Sequence, residues 1–300
     1  MVSIERLKAY WRLTRPKTAM STALTAIGGM LYAGSHVSHV DLHIPALIVL
    51  GVTLAHFSVN ALNDYMDYKS NLDTKTPRTP FSGGSKVLVD KLITPLEALA
   101  IAITSMVLAM IIGLYLTLYR GVLVLILAIS GALIIVTYNN ILVRIGLGEV
   151  AVWVKGILVF IGAQYVVAGV ITWDAVLIGS IYGGVSTLIL YANFIPDIEA
   201  DRSVGRRTIP VLLGDKAWVG YQVIALVLGA LLILSVTLRA LNLLALLALI
   251  PLLQTPRVSK TLRDARDLKA IVEALARNTM ICNWVNVIVT LTLAFQSLIL

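Results

Sequence analysis

The sequence predicts an all-α protein of many membrane-spanning helices. Three observations carry that expectation: the composition, the recurrence of long apolar runs, and the segregation of basic residues into alternate loops. Of 300 residues, 58% are apolar and 13% charged, too few polar side chains to clothe a water-facing surface. Runs of about 17–25 apolar residues, the length a helix needs to cross a bilayer, fall at 18–34, 44–63, 94–117, 121–138, 149–170, 175–195, 218–238, 240–253 and 279–299. That makes nine spans in one domain covering 1–300. The eighth is short, which tilt, extension by a neighbour or a re-entrant path would accommodate.

The charges order these spans. Basic residues fill the N-terminal segment (Arg6, Lys8, Arg12, Arg15, Lys17) and the second loop (Lys69, Lys75, Arg78, Lys86, Lys91). They recur at Arg144, at Arg202, Arg206, Arg207 and Lys216, and at Arg257, Lys260, Arg263, Arg266, Lys269 and Arg277, whereas the intervening connections hold only Arg120 and Arg239. The positive-inside rule then predicts a cell-membrane protein with its N-terminus in the cytoplasm, its C-terminus outside, and its even-numbered spans ending inside. The net charge of +8 is thereby a matter of topology. It does not point to nucleic acid, because the cations lie in short loops and not along one helical face. No cleavable signal peptide is expected, since residues 1–17 are basic and amphipathic without a small-residue cleavage site. The one cysteine, Cys282, permits no internal disulfide and reads as a buried apolar residue.

Chemistry is concentrated at two even-numbered span ends. The second span closes with Asn60, Asn63, Asp64, Asp67 and Asn71, spaced to share one helical face, with Asp73 just beyond. The sixth closes with Asn193, Asp197 and Asp201 at intervals of four. Carboxylate and amide oxygens are hard ligands suited to Mg²⁺, which usually completes its shell with water and phosphate oxygens. Two such stripes on one side could grip a diphosphate between metal ions. Either alone could be a solvated helix end, but ionisable groups beside apolar spans are costly and tend to be functional. An offset of 130 residues aligns Asn63 with Asn193, Asp67 with Asp197, Pro80 with Pro210, Gly84 with Gly214 and Lys86 with Lys216, while Asn71 falls on Asp201. This suggests two pseudo-repeated four-helix halves with a shared site between them, plus a ninth helix.

Each stripe runs into a basic loop, the first holding Arg78, Ser82-Gly83-Gly84-Ser85 and Lys86, the second Arg206 and Arg207. Guanidinium and ammonium groups suit phosphate, and the Gly-Ser turn could aim backbone N–H groups at an anion. Lys155 lies deeper than topology requires, so either it contacts that anion or it snorkels. Tyr138 could set its ring beside a developing cation or serve as an interfacial anchor. His36, His39 and His43 are remote from the carboxylates, and Glu149 reads as a helix-start acid. Residues 257–277 read as a mixed-charge amphipathic helix or loop capping the cytoplasmic side.

At these residues the chain resembles the UbiA superfamily of intramembrane prenyltransferases over nearly its whole length. Its Asp-rich signatures are similar to Asn63-Asp64-x-x-Asp67 and Asp197-x-x-x-Asp201, supported by Arg15-Pro16-Lys17-Thr18, Gly146-Leu-Gly148-Glu149 and Asp201-Arg-x-x-Gly-x-Arg207-Thr. The third Asp at position 73 and the Gly-Leu-Gly-Glu segment look most like the 1,4-dihydroxy-2-naphthoate polyprenyltransferase branch. Many other branches place that Asp where Asn71 stands, so Asn71 and Asp73 compete to complete the first motif. Asn139-Asn140 stands where the quinone branch more often has prolines.

The resemblance implies Mg²⁺ held by Asn63, Asp64, Asp67, Asp73, Asp197 and Asp201. It also implies a polyprenyl diphosphate bound by Asn63, Arg15, Arg78, Lys86, Arg144, Lys155 and Arg207, with Asp64, Asp67, Asp197, Asp201 and Tyr138 as catalytic residues. The allylic cation released by ionisation would be captured by a lipophilic aromatic acceptor, as in quinone synthesis of the menaquinone type. Membrane lipid would surround the chain, and no obligatory protein partner is evident. A glycerol-phosphate ether-lipid precursor is the alternative acceptor. A carboxylate-lined cation transporter is a more distant reading, since it would place its ligands near the bilayer midplane.

Overall fold

Among the described residues, 4–34, 37, 40–265 and 267–299, the computed structural model contains helices, turns and one long loop, with no strand. The amphipathic helix α1 (Ile4–Thr14) buries Ala9 and Leu13 and exposes Ile4, Leu7 and Trp11, the pattern of a helix lying at a membrane surface. Arg15 takes a positive φ of 48°, turning the chain into α2 (Pro16–Gly34), where Pro16 occupies the first helical position. Next comes α3 (His43–Lys69), and the loop after it leads to α4 (Pro95–Arg120). That start is fixed by a reciprocal cap: Thr94 Oγ1 accepts the Glu97 N–H (3.3 Å) and Glu97 Oε2 accepts the Thr94 N–H (2.8 Å).

Gly121, at φ 117°, permits a sharp reversal into α5 (Val122–Thr137), which widens into a single π turn at Tyr138–Leu142. Helices α6 (Gly148–Ala168) and α7 (Trp173–Phe194) follow. A 3₁₀ turn at Ile195–Asp197 joins α7 to the short α8 (Ile198–Ser203), then α9 (Ile209–Leu213) and α10 (Ala217–Thr237). A 3₁₀ stretch Leu243–Ala248 precedes α11 (Leu249–Leu252), α12 (Thr255–Asp264) and the long α13 (Leu268–Ile299).

Small residues bring the central helices together. A Cβ on Gly156 of α6 would collide with the backbone of Gly183 in α7, and one on Gly29 of α2 with the Phe160 carbonyl of α6, so α6 packs on both neighbours at backbone distance. Outward faces carry large apolar side chains such as Leu118 (82% exposed) and Leu226 (64%). Eight helical segments of the described residues are long and apolar enough to cross a membrane. The protein is an integral membrane protein, because such faces are stable only against hydrocarbon.

Two expectations change. The predicted first span coincides with α2, whose 19 residues include Thr18, Ser21, Thr22 and Thr25; it is not among the eight apolar segments, so the count of nine is not reached on apolarity. The short run 240–253 forms the 3₁₀ stretch and α11 and joins α12 to make the apolar segment Leu243–Asp264, while Pro251, inside α11, withholds a backbone N–H from the preceding turn. The stretch 257–277 divides, its first part forming α12 and its second the opening turns of α13. Cys282 is buried in the core, as expected. His43 contacts the Tyr115 hydroxyl (3.1 Å), while His36 and His39 lie outside the described residues.

Candidate active site

The first acidic stripe is shorter than its spacing suggests. α3 ends in a Schellman motif: Leu72 N–H bonds the Asp67 carbonyl (2.9 Å) and Asn71 N–H the Tyr68 carbonyl (3.1 Å), with Asn71 left-handed at φ 58°. The helix therefore stops before Asn71, which is exposed, while the chain turns back and buries Asp73. Asn71 terminates the helix, and Asp73 is the residue placed among the other carboxylates. Burial, reinforced by Asp64 and Asp67 and opposed by Lys86 and Arg15, pushes the Asp73 carboxyl up to about 7.

The loop after α3 folds over this end. Asp64 is buried, paired with Arg15 and accepting hydrogen bonds from the Ser85 hydroxyl and the Ser85 N–H (3.2 Å). Gly84, at φ 75°, lies directly against the Asp73 carboxylate, where a Cβ would collide with it. The aligned Gly214 also has positive φ, 53°. Lys86 is buried and donates to the Asp73 carbonyl and to Thr76 Oγ1 (2.6 Å). Burial draws its ammonium below the ordinary lysine value, against Asp73 and Asp197. Lys216, which the 130-residue offset aligns with it, is exposed and has a negative φ of −95° against +61° at Lys86, so the two aligned lysines match neither in backbone nor in placement.

One residue joins the two stripes. Arg206, 9% exposed, pairs with Asp67 from the first and with Asp201 from the second (3.3 Å), and donates to Asn139 Oδ1 (3.0 Å). Asn139 in turn donates to Asn63 Oδ1 (2.8 Å). Desolvation works against the Arg206 charge, but Asp67 and Asp201 more than offset it. Asp197 Oδ1, Asp201 Oδ2 and Asn193 Oδ1 are buried with no hydrogen-bond partner. Among the described residues, no three carboxylate, His or Cys side chains converge closely enough to hold a metal as they stand.

The donor set nonetheless fits a divalent cation. Asp64, Asp67, Asp73, Asp197 and Asp201 face Arg15, Lys86 and Arg206, leaving the cluster two positive charges short. Three acceptor oxygens without donors mark where a cation would bind, because a buried acceptor left unpaired costs about 1–3 kcal/mol.

The predicted cationic ligands divide. Arg15, Lys86 and Lys155 lie at or beside the site, Lys155 lining the cavity described below and making no hydrogen bond or ion pair among the described residues. Arg78 is exposed and forks onto Asp90 (3.1 Å through Nη1). Arg144 and Arg207 are exposed, and the backbone N–H of Arg207 bonds the Val143 carbonyl (2.9 Å). Arg206, not its neighbour Arg207, is thus the arginine turned inward. Glu149 is buried and accepts the Ile209 N–H (2.7 Å), tying α9 to the start of α6.

Beyond Asn63 and Asn193 opens a cavity of about 680 Å³ between α2, α3, α4, α5, α6, α7 and α13. One wall is polar, with Thr18, Thr22, His56 and Asn60; the other is apolar, with Met110, Leu127, Leu158 and Val166. Tyr138 is buried at the π turn, lining the cavity with its hydroxyl free of partners. Such turns often mark functional sites.

Sequence reading gave no role to Asn139 or His56, and it placed Arg206 and Ser85 only as part of the two phosphate-facing loops, not as partners of the carboxylates. Arg206 lay inside the basic loop with nothing to separate it from Arg207. Asn139 carried a signal, being an amide where the resemblance leads one to expect proline.

The fold is shared with solved structures: a digeranylgeranylglyceryl phosphate synthase (TM-score 0.64, 18% identity, 97% of this chain and 100% of that one) and a UbiA homologue from Archaeoglobus fulgidus bound to GPP and Mg²⁺ (TM-score 0.62, 14% identity, 97% and 100%). In sequence the chain is similar to the 1,4-dihydroxy-2-naphthoate octaprenyltransferase of Mycobacterium tuberculosis, 29% identical over 223 residues, covering 72% of this chain and 74% of that protein. The family model for UbiA prenyltransferases matches residues 22–289, which takes in both acidic stripes, Arg206 and the cavity walls from Thr22 onward. The chain is therefore a prenyltransferase belonging to the UbiA prenyltransferase family.

Proposed function

We propose that this prenyltransferase transfers the prenyl group of an allylic polyprenyl diphosphate to a lipophilic aromatic acceptor, in a Mg²⁺-dependent reaction of menaquinone-type quinone synthesis. One observation carries the reading: two acidic stripes bridged by Arg206 at the mouth of a cavity with one polar and one apolar wall. The octaprenyltransferase relative supports the aromatic acceptor, and the GPP- and Mg²⁺-bound fold relative supports the donor and the metal. Asp67, Asp73, Asp197 and Asp201 would hold the metal with Asn63, while Asp64 acts chiefly by anchoring Arg15 and the Ser85 loop. The bound cation supplies charge for the leaving diphosphate.

Arg15, Lys155 and the Gly83-Gly84 turn orient the diphosphate and stabilise the charge that develops as its C–O bond ionises. The apolar wall receives the prenyl chain and keeps water from the allylic cation. Tyr138 presents its ring to that cation from the cavity wall. The acceptor carbon then forms the new C–C bond, and loss of a proton, or of CO₂ from a naphthoate, restores aromaticity. Arg78, Arg144 and Arg207 lie at the surface, where they would attract the anionic substrate without contacting the reacting atoms.

Within the same proposal, residues 1–300 form one domain in the cell membrane. The N-terminus and the active site face the cytoplasm, with α2 as a ninth span lined with hydroxyls and with paired four-helix halves suggested by the 130-residue offset between the acidic stripes. Likeness in fold to the digeranylgeranylglyceryl phosphate synthase supports a second reading, the same chemistry on a glycerol-phosphate ether precursor. Purified protein in lipid nanodiscs, given labelled geranylgeranyl diphosphate with either acceptor, separates the two. Label in the naphthoate product, dependent on Mg²⁺, supports the proposal; label only in the ether lipid would replace it.

A further inference from the structure

The polar wall of the cavity contains hydrogen-bonding capacity that the diphosphate chemistry does not use. His56, on α3, contacts two α2 hydroxyls: Nε2 lies 3.0 Å from Thr18 Oγ1 and Nδ1 lies 2.9 Å from Thr22 Oγ1. The Thr18 hydroxyl gives its single proton to the Arg15 carbonyl (2.9 Å), so toward His56 it can only accept. Nε2 must then carry the imidazole proton, and Nδ1 accepts from the Thr22 hydroxyl. Thr25, one turn on, spends its hydroxyl proton on its own helix at the Ser21 carbonyl (2.9 Å); Thr22 does not. His56 thus turns the Thr22 O–H away from the helix backbone. The Thr22 oxygen, which lines the cavity, keeps its lone pairs without a donor among the described residues.

A second polar group lies at nearly the same height. Asn286 of α13 donates to Ser21 Oγ (3.0 Å), the residue beside Thr22. Asn283 is one turn earlier on α13, about 4.5 Å along the axis, and lines the same cavity. Its neighbours Asn278 and Asn286 both bond across helices, to Leu188 (3.3 Å) and Ser21, whereas Asn283 has no hydrogen bond among the described residues. Asn283 is exposed and lines the cavity, so its amide is open to a ligand there, as polar groups within membrane helices often are.

We propose that Thr22, held as an oriented acceptor by His56, and Asn283 form the acceptor subsite, binding a planar aromatic ring through a ring hydroxyl and a second ring oxygen. The hydroxyl of the acceptor donates to Thr22 Oγ1, the Asn283 amide donates to the second oxygen, and the ring lies toward the apolar wall near Leu158. This rests on the aromatic-acceptor reading above. A site built to hydrogen-bond a hydroxyl rejects ligands that lack one more sharply than an apolar pocket can. Thr22 and His56 therefore set acceptor choice while Arg15 and Lys155 hold the donor.

The test uses the full chain in nanodiscs with 1,4-dihydroxy-2-naphthoate and geranylgeranyl diphosphate. Thr22→Val keeps the side-chain shape and removes the hydroxyl. The acceptor KM should rise about tenfold, the scale of one lost hydrogen bond. The donor KM and the slow Mg²⁺-dependent release of diphosphate without acceptor should stay unchanged. Thr22→Ser should restore the acceptor KM, and Asn283→Ala should raise it independently. An unchanged acceptor KM in Thr22→Val, a parallel rise in both KM values, or failure of serine to rescue overturns the subsite while leaving the aromatic reading intact. Wild-type protein that prenylates only the glycerol-phosphate precursor overturns both.

Discussion

Replacing Arg206 by glutamine removes the one positive group that, among the described residues, pairs with both acidic stripes. The side chain is buried against Asp67 and Asp201, with Asn139 completing its contacts. Removing one partner of a buried pair leaves uncompensated charge and costs about 3–5 kcal/mol. In metal-free protein the loss should lower the thermal midpoint by on the order of 5–10 °C, scaling from roughly 2–4 °C per kcal/mol for chains somewhat shorter than this one. The vacated carboxylates should also bind a divalent cation without competition from the guanidinium. Saturating Mg²⁺ at a hundredfold over Kd contributes about 2.7 kcal/mol to the folded state, so most of the lost stability should return in the variant.

The assay is thermal unfolding in nanodiscs, with EDTA and then across a Mg²⁺ titration, alongside the same titration of wild-type protein. The variant should start lower and gain more. Equal midpoints in EDTA, or an equal Mg²⁺ response in both proteins, would refute the view that Arg206 is the internal counter-ion of an acidic metal site. Turnover should fall as well, but the metal-response comparison does not depend on it.

Further outcomes follow from the same geometry. Asp73→Asn should abolish Mg²⁺-dependent diphosphate release and Asn71→Gly should leave it near wild type, since Asn71 only ends α3; the reverse ranking would return the third ligand to Asn71. Asp67→Ala and Asp197→Ala in folded protein should each abolish turnover, and full activity in both would sink the prenyl-diphosphate mechanism. Asp73, with its folded value raised to about 7 above the unfolded carboxylate near 4, binds more protons when folded. Stability of the metal-free protein should therefore fall as pH rises from about 4 through 7, and Asp73→Asn should flatten that slope in unfolding experiments. Metal affinity should rise over the same interval as the competing proton leaves. Arg78→Ala should change kcat by less than about twofold, because Arg78 is an exposed partner of Asp90, while Gly84→Ala, which drives a Cβ into the Asp73 carboxylate, should cost at least about tenfold in steady-state rate.

What the sequence made legible and what it hid divide along a physical line. Spans were readable because apolar length is a local property, and both acidic stripes were readable because helical spacing is local too. Asn71 misled the spacing argument because a Schellman ending depends on which residue can adopt positive φ, and asparagine serves that need as well as it serves a metal. The predicted first span gave a weak apolar signal because Thr18, Ser21 and Thr22 line the cavity and Thr25 is buried against its own helix. Arg206 was hidden for a different reason. Its partners lie 139 and 5 residues away, and only the packing of α3 against the α8 loop tells which of two adjacent arginines points inward.

That division bears on how the site works. Residues legible from local spacing, Asp67, Asp197 and Asp201, are those that would meet the metal and so must sit on rigid helix ends. Residues visible only in the fold, Arg206, Asn139, Ser85 and His56, hold or orient other side chains across helices. A cluster of five carboxylates could not remain buried and folded without such partners, because each would otherwise protonate or repel its neighbour. Arg206 pairs with the carboxylates of both stripes where the proposed mechanism would put a cation. Its guanidinium would then be placed to meet a leaving diphosphate. The same contact that keeps the empty site folded is then available to the filled one.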